Sequence, residues 1–339
     1  MLILSNCLTK KNDEGCLKVA NSLVNLLLQE NNISVITYDR KPNYESLHIP
    51  LNKFLISKKL IRTIREKNEP VLYIPFPARE WATAMRVFVL SRISRKKVTV
   101  LLTMRCKCGW LGQLLLKLSG ADVVTLSQNT EQLYTTMIGN KRVTYLKAGV
   151  DTEKFSPVSA TEKISLRKKY GLDVERPVIL HVGHLKYGRN IGQMMKLNSN
   201  YQILIVASTH TKNEQDAELR EALTKCPNVK IIDTYVENIA EIYQLCDVYF
   251  FPVVAEKNCI DVPLSCLEAA ACNIPVVTTS YGEMVSFRGR SGFRFIDSFD
   301  GDSINCAISD VLAMKSISVR NYVLEYDWKN AVNWLKRIE

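Results

Sequence analysis

Two series of short apolar runs, each alternating with helical stretches, constrain the fold of this 339-residue chain most strongly. The first series comprises 2–4, 33–38, 71–75, 98–103 and 122–127, and the second comprises 178–183, 202–207, 229–232, 247–251 and 275–279. Runs that are almost continuously apolar indicate parallel strands that helices cover on both faces. Between the first two runs, one face of a predicted helix carries Leu17, Ala20, Leu23, Val24, Leu27 and Leu28. The sequence therefore predicts an α/β protein with two doubly wound, Rossmann-like domains.

The two series are separated near 147–157, where a glycine, an aspartate and a proline interrupt the pattern. We therefore expect an N-terminal domain over 1–155 and a C-terminal domain over 156–325. Ligands of open parallel sheets bind beyond the carboxyl ends of the strands. Two facing domains of this kind are expected to bind their ligand in the cleft between them.

The composition is that of an ordinary globular protein, with 47% apolar and 23% charged residues. No apolar run reaches the roughly 18 residues of a membrane-spanning helix, and the N-terminus lacks the features of a signal peptide. Ten cysteines without the spacing of a small disulfide scaffold indicate reduced thiols and a cytoplasmic location. Cys106 and Cys108 form a lone C-x-C with no second ligand pair, so we predict no metal site.

The net positive charge of the chain comes from its first half. Residues 1–158 hold 24 Lys and Arg against 12 Asp and Glu, whereas residues 159–339 hold 21 against 22. Such an excess suggests an anionic partner, such as a nucleic acid, a phospholipid surface or an anionic acceptor, although an ordinary lysine-rich surface explains it equally well. No nucleic-acid recognition motif accompanies the charge, and we expect no nucleic-acid partner.

Three stretches resemble motifs of one family. They are GVDTEKFSP at 149–157, VILHVGHLKYGRNI at 178–191 and DVPLSCLEAAACNIPVVTTSYGE at 261–283. Together they resemble glycosyltransferase family 4. This resemblance implies a GT-B fold and a retaining transfer of a sugar from a nucleotide sugar. The C-terminal stretch also resembles the family's last helix, which implies that 326–339 packs back toward the N-terminal domain.

In the third stretch, Pro263 and Leu264 stand at the start of a predicted helix rich in alanine and leucine. The free backbone N–H groups and partial positive charge of a helix start suit a diphosphate or a sugar hydroxyl. The resemblance implies that Glu268 binds the ribose hydroxyls of the donor, since a carboxylate accepts two hydrogen bonds. The alternative for Glu268 is a solvated helix carboxylate.

The family usually has a second carboxylate eight residues before this glutamate, and here that position is Ile260. We name Glu256 and Asp261 as catalytic candidates that reach the donor sugar in its place. Ile260 itself fits a core position.

In the second stretch, Gly183 ends a strand and lets the backbone approach a phosphate. The resemblance implies an Arg and a Lys that stabilise the leaving diphosphate. Here His184 takes the Arg position, Arg189 lies near the Lys position, and Lys186 is close by. Arginine binds phosphate in bidentate fashion, which makes Arg189 a suitable replacement. The alternative for His184 is a capped polar residue that follows the strand and has no role in binding.

The resemblance also implies transfer with neither a bound metal nor a cofactor.

Three further positions follow from the resemblance. Val236 follows a strand and is expected, with Tyr235, to line the pocket of the nucleobase. Gly15 is the one glycine in the stretch that corresponds to the Gly-rich loop after the first strand, and a turn before the first helix is its alternative. Arg105 is expected to meet an anionic acceptor.

A general base is not visible in the first half of the chain. The family's histidine after the fourth strand is replaced here by Met104 and Arg105, and the half's lone histidine, His48, falls in a loop-like segment. The resemblance implies front-face attack, in which the leaving phosphate helps to take the acceptor's proton. We interpret Cys106 and Trp110 as packing residues.

The segment 53–67 is basic and amphipathic, and 86–97 adds more positive charge. Phe54, Leu55, Ile61 and Ile64 line one side of the first segment, with Lys58, Lys59, Arg62 and Arg65 around the others. Such helices bind anionic membrane surfaces, so peripheral association with the cytoplasmic membrane face is one expectation. A Rossmann helix with a solvated basic face is the other.

The leading hypothesis is a retaining glycosyltransferase that uses a UDP- or GDP-linked sugar. Its acceptor is lipid-linked, a polysaccharide or part of a glycoprotein pathway. One alternative is a catalytically inert nucleotide-sugar-binding subunit, which the missing histidine and the missing carboxylate at position 260 favour. A GT-B-fold sugar-nucleotide epimerase is the other, and the motifs at 149–157 and around Glu268 argue against it.

Overall fold

The computed structural model describes most of the chain. The described residues are 1–6, 8, 14–30, 33–38, 45–51, 57–76, 80–105, 108–208, 216–255 and 259–336. They form two compact units. Unit 1 comprises Met1–Ala148, Ile260–Val262 and Trp328–Glu339, and unit 2 comprises Gly149–Cys259 and Pro263–Asp327.

Each unit is built on one parallel sheet. The strands of unit 1 are β1 (Leu2–Ser5), β2 (Ser34–Thr37), β3 (Leu47–His48), β4 (Val71–Ile74), β5 (Val98–Leu102), β6 (Asp122–Thr125) and β7 (Val143–Tyr145). Those of unit 2 are β8 (Val178–Gly183), β9 (Gln202–Ala207), β10 (Val229–Ile232), β11 (Val248–Phe251), β12 (Val276–Thr278) and β13 (Phe293–Phe295). The strand orders are β3-β2-β1-β4-β5-β6-β7 and β10-β9-β8-β11-β12-β13. Both have the order of a Rossmann sheet, which reverses beside its first strand.

Helices connect the strands. They are α1 (Gly15–Glu30), α2 (Lys58–Lys67), α3 (Glu80–Ile93), α4 (Trp110–Ser119), α5 (Gln128–Ile138), α6 (Ala160–Lys169), α7 (Ala217–Thr224), α8 (Ile239–Gln244), α9 (Leu264–Ala271), α10 (Gly301–Leu312) and α11 (Trp328–Lys336). In unit 1, neighbours along the series α2, α3, α4 and α5 contact one another, and α11 contacts α1. Several helices begin at a side-chain cap, such as Ser127 before α5, whose Oγ accepts from the Thr130 N–H.

The predicted fold class is confirmed: both units are Rossmann-like α/β structures with parallel sheets. All ten predicted strands are present, because buried parallel strands are apolar on both faces. The predicted face of α1 is also buried at Leu17, Leu23 and Leu27. The sequence did not reveal β3, β7 and β13, which have two or three residues each and extend the sheets at or toward their edges.

The turn that leads into β13 gives a test of packing in unit 2. Gly289 and Gly292 have nearly the same backbone, with φ of +81° and +82°. A Cβ at Gly289 would meet nothing within 4 Å, whereas one at Gly292 would lie 2.3 Å from Cγ1 of Val319, which is fully buried.

We expect Gly289→Ala to lower the free energy of unfolding by about 1–2 kcal/mol through backbone strain alone. Gly292→Ala should cost about 1–3 kcal/mol more, because the added methyl group overfills the site. Urea denaturation of both variants measures the difference. Equal losses would contradict the packing that the structure shows around Gly292.

Candidate functional site

In the sheet of unit 2, the strand order reverses between β8 and β11. Ligands of such sheets bind beyond the carboxyl ends of the strands at the point of reversal. β8 ends at Gly183 and β11 ends at Phe251. The predicted site residues 183–189 follow β8 directly. The candidate site of unit 2 is therefore built from the segments that leave these two strands.

The guanidinium of Arg189 lies against Gly183 at the end of β8. A Cβ at this position would lie 2.7 Å from Nη1 of Arg189 and 3.2 Å from Nε2 of His181, so the missing side chain makes room for both groups. Arg189 is half-buried at the end of the short 3-10 turn Tyr187–Arg189. Among the described residues its guanidinium has no carboxylate or carbonyl partner, and such a group can bind an anion bidentately.

The other predicted residues of this stretch, His184 and Lys186, immediately precede this turn. The Lys186 N–H donates to the His184 carbonyl at 3.0 Å, and the Arg189 N–H donates to the Lys186 carbonyl at 2.9 Å. His184 is 7% exposed, whereas Lys186 is half-buried. The structure thus gathers the two predicted cations and His184 within one short segment after β8.

His181 is a site residue that the sequence reasoning missed. It lies in β8 with its ring stacked between Tyr249 and Phe251, and its Nδ1 is 2.9 Å from the Phe250 carbonyl oxygen. Burial lowers the pKa of His181 to about 4, the Phe250 carbonyl opposes this shift, and the Arg189 cation adds to it. Because the carbonyl only accepts, the neutral ring carries its proton on Nδ1 and leaves an acceptor on Nε2. Nε2 is buried without a hydrogen-bond partner among the described residues.

Glu268 lies in α9 and is 4% exposed, so it is not a solvated helix carboxylate. The Tyr243 hydroxyl donates to Oε2 of Glu268 at 2.6 Å. Burial first, and then the Glu268 carboxylate, raise the pKa of Tyr243 well above its usual value. Tyr243 is therefore a permanent donor that keeps Glu268 hydrogen-bonded inside unit 2.

The segment 149–157 packs against the Tyr243–Glu268 pair. Phe155 packs edge-to-face on the Tyr243 ring, with ring centroids 5.6 Å apart. The Arg320 guanidinium holds the segment by donating to the carbonyl oxygens of Thr152 and Phe155, each at 2.8 Å. The first motif thus positions the tyrosine that holds the glutamate of the third motif.

The other predicted donor contacts lie at the start of α9 and ahead of α8. Pro263 is the residue before α9, one position earlier than predicted, and the Cys266 N–H donates to its carbonyl at 3.0 Å. Pro263 and Leu264 are both buried. Val236 is half-buried ahead of α8, whereas the Tyr235 side chain is 62% exposed.

Asp261 belongs to unit 1 and is 5% exposed. Its Oδ2 accepts a hydrogen bond from the Ser127 hydroxyl at 3.1 Å and another from the Thr130 hydroxyl, both at the start of α5. Its backbone N–H donates to the Thr103 carbonyl at 3.3 Å. These contacts give Asp261 an anchoring role for 260–262, and its contact with a donor sugar remains a proposal.

Ile260 fills the space over Gly15. A Cβ at Gly15 would lie 2.9 Å from Cδ1 of Ile260, which is 6% exposed, as its core interpretation expects. Gly15 is the first residue of α1, and Arg105 is half-buried after β5. Glu256 lies outside the described residues.

Two interpretations of the first half were wrong. Trp110 does not pack in the core, because its side chain is 78% exposed at the start of α4. His48 lies in the short strand β3 rather than in a loop, with its Nδ1 3.3 Å from the Thr37 hydroxyl. In both cases the local sequence did not reveal which face the fold would cover. Cys106, Phe54 and Leu55 lie outside the described residues.

Within the described part of the chain, no three His, Cys, Asp or Glu side chains form a group that could hold a metal ion. None of the described helices is long and apolar enough to cross a membrane.

Part of the chain is similar to known glycosyltransferases. Residues 176–314 match the family described as "Glycosyl transferases group 1". A GDP-mannose-dependent monoacylated alpha-(1-6)-phosphatidylinositol monomannoside mannosyltransferase of Corynebacterium glutamicum is 27% identical over 175 residues. That match spans 48% of this chain and 45% of the relative, so it covers about half of each protein.

Solved structures share the whole fold at low identity. A glycosyltransferase from Rickettsia africae matches with a TM-score of 0.80 and 14% identity over 99% of this chain and 97% of that one. Anabaena Alr3699/HepE in complex with UDP matches with a TM-score of 0.76 and 13% identity over 99% and 98%. These neighbours establish a GT-B fold. The match to group 1 glycosyltransferases covers residues 176–314, which lie in unit 2 apart from 260–262.

The buried His181 predicts a pH dependence of stability. Its pKa of about 4 in the fold lies below the value near 6.5 of an unfolded chain, so between these values the unfolded chain binds a proton that the folded chain does not. Its contribution is therefore complete above about pH 6.5 and is lost as the pH falls toward about 4. Between about pH 7.5 and about pH 5 the expected loss is about 2 kcal/mol.

His181→Asn keeps an N–H group for the Phe250 carbonyl but does not titrate. Urea denaturation at the two pH values should show a smaller loss in this variant than in the wild type, by about the same 2 kcal/mol. The same acid-induced loss in both proteins would contradict the neutral imidazole.

Proposed function

We propose that this protein is a retaining glycosyltransferase that moves a sugar from a UDP- or GDP-linked donor to an acceptor. The acceptor is lipid-linked, a polysaccharide or a component of a glycoprotein pathway. One observation carries the proposal: Arg189 lies against Gly183 at the end of β8, and the buried Glu268 belongs to the same unit, all within the part of the chain that matches group 1 glycosyltransferases.

Each of these residues has a role in donor binding. Gly183 lets the donor diphosphate approach the backbone at the end of β8. Arg189, with Lys186 in the same turn, neutralises the charge that grows on the diphosphate as it leaves. Glu268 accepts hydrogen bonds from the ribose hydroxyls, and Tyr243 holds its carboxylate in place. The start of α9 at Pro263 and Leu264 directs N–H groups at a phosphate or sugar oxygen.

The transfer itself breaks the bond between the anomeric carbon and the β-phosphate oxygen. A bond from the acceptor oxygen to the same face of that carbon forms, and the acceptor's proton passes to the departing phosphate oxygen. This front-face step needs neither a protein base nor a metal ion. Arg189 and Lys186 drive it by stabilising the nucleoside diphosphate.

Known relatives support both donor classes. The Corynebacterium relative is named for its GDP-mannose dependence, whereas Alr3699/HepE was solved with UDP and with UDP-glucose. Val236 is proposed to line the nucleobase pocket, and Glu256 and Asp261 to contact the sugar. On the acceptor side, Gly15 and Arg105 are the proposed contacts. The basic N-terminal half supports peripheral association with an anionic membrane surface.

A second candidate is an inert subunit that binds the nucleotide sugar without transfer. Ile260 favours it, because this apolar side chain packs over Gly15 at the position where the family usually has a carboxylate. Binding of a nucleotide sugar with no transfer to any acceptor would identify this function.

A thermal-shift screen against UDP, GDP, ADP and CMP tests the proposal. A nucleotide at a hundred times its dissociation constant stabilises the fold by about 2.7 kcal/mol. We expect a selective shift with UDP or GDP and none with CMP. The absence of a shift with every nucleotide would contradict the proposed donor site.

Arg189→Ala tests the diphosphate contact. It should weaken binding of the selected diphosphate by about tenfold to a hundredfold, since a charge-assisted hydrogen bond contributes about 1.5–3 kcal/mol. Arg189→Lys should keep part of the affinity. Calorimetry with the corresponding nucleoside monophosphate should show a smaller loss.

Arg294→Ala is the matched control, because Arg294 is an exposed arginine of unit 2 that pairs with Asp310 at 3.4 Å. It should leave nucleotide affinity unchanged. Equal losses for the monophosphate and the diphosphate in Arg189→Ala would place Arg189 elsewhere than at the β-phosphate.

A further inference from the structure

The outer face of α4 in unit 1 is apolar. Trp110, Leu111, Leu114 and Leu118 have exposed fractions of 78%, 48%, 43% and 54%. At 3.6 residues per turn they occupy an arc of about 100° on one side of the helix. The opposite side faces the core through Leu116. The helix therefore presents apolar side chains both to the core and to its surroundings.

Helix α3 extends this surface. Gly112 of α4 lies against Ala84 of α3, with its built Cβ 3.6 Å from that of Ala84. At the other end, Arg92 of α3 donates to the Leu118 carbonyl at 2.9 Å. The two helices therefore run side by side in the same direction. Trp81, which is 56% exposed near the start of α3, lies at the same end as Trp110. We call Trp81, Trp110, Leu111, Leu114 and Leu118 the apolar face.

Helix α2, on the other side of α3, carries a basic groove. This groove has a volume of about 480 Å³ and is lined by Lys58, Ile61, Arg62, Arg65, Glu66 and Arg95. Its one carboxylate, on Glu66, already pairs with Arg62 at 2.9 Å. The groove therefore has an excess of cations for an anionic group.

We propose that the apolar face and the basic groove form one membrane-binding surface. The apolar face inserts into the interface of a bilayer, and the groove binds the phosphate of an anionic lipid headgroup. The inference deepens the membrane association included in the proposed function and does not depend on the identity of the donor.

The chemistry of the surface favours a bilayer over a protein. Exposed apolar side chains that share one face of α4, with the exposed Trp81 at the same end of the neighbouring helix, mark an interaction surface. Tryptophan suits a membrane interface, where one end of its ring is apolar and the other is hydrated. The neighbouring cations match anionic headgroups. A second copy of the chain is disfavoured, because it would bring together two halves that each carry an excess of Lys and Arg.

Co-sedimentation of the full chain with phosphatidylcholine vesicles, with and without phosphatidylglycerol, tests the proposal. The wild type should bind the anionic vesicles. The double variant Trp110→Ser, Leu114→Ser should bind them about tenfold more weakly, because buried apolar area contributes to interfacial binding. Arg62→Gln with Arg65→Gln should lose the preference for anionic vesicles.

Leu324→Ser is the control, since Leu324 is a 42%-exposed leucine of unit 2 outside this surface, and it should bind like the wild type. Unchanged vesicle binding by the Trp110, Leu114 double variant would overturn insertion of the apolar face. No vesicle binding by the wild type, with a change of oligomeric state in the double variant, would assign the surface to a protein partner instead.

Measuring nucleotide binding on the same variants separates the membrane surface from the proposed glycosyltransferase function. Nucleotide-induced thermal shifts should persist in every surface variant, because the residues changed lie in α2 and α4 and none of them is a proposed contact of the donor. A wild type that binds vesicles but no nucleotide would overturn the glycosyltransferase and leave the membrane surface standing.

Discussion

The hydrogen bond from Tyr243 to Glu268 is the contact on which the candidate donor site depends. A carboxylate buried in an alanine-rich helix is strongly destabilising unless donors surround it. Tyr243 supplies one such donor at 2.6 Å, and Phe155 packs against the ring that carries it. The segment 149–157 thereby contacts the site through the packing of Phe155 on Tyr243. These contacts give a physical reason why the stretch 149–157 and the stretch around Glu268 resemble motifs of the same family.

The same burial decides how far the fold could be predicted. Strands such as β8 and β9 are covered on both faces, so they are almost entirely apolar and stand out in the sequence. β3, β7 and β13 lie at or near the sheet edges, where few residues suffice to pair and no apolar run is required. These strands form because they pair with neighbouring strands, and their own composition does not require it. The periodicity of the sequence therefore cannot detect them.

The candidate site could be predicted where motifs name residues directly, and less well where tertiary context decides. Gly183, His184, Lys186 and Arg189 come together because they share one short segment at the end of β8. His181 carries a signal of its own, a histidine within an apolar strand, but only the folded sheet shows its Nε2 facing the same space as the Arg189 guanidinium. For Asp261, the position next to Ile260, where the family usually has a carboxylate, suggested a contact with the donor sugar. The sequence did not reveal that its hydroxyl partners lie in unit 1.

The apolar residues of α4 show why burial and membrane contact are hard to separate from sequence. A helix covered by protein on both sides and a helix lying at a bilayer both require an apolar second face. The Trp110 side chain satisfies either pattern, and its 78% exposure is what distinguishes them. Charge supplies the second criterion. The proposed diphosphate site requires only local cations, Arg189 and Lys186, which the charge-balanced residues 159–339 provide. A lipid surface instead attracts the summed charge of a whole face, and the excess of Lys and Arg in residues 1–158 meets that requirement.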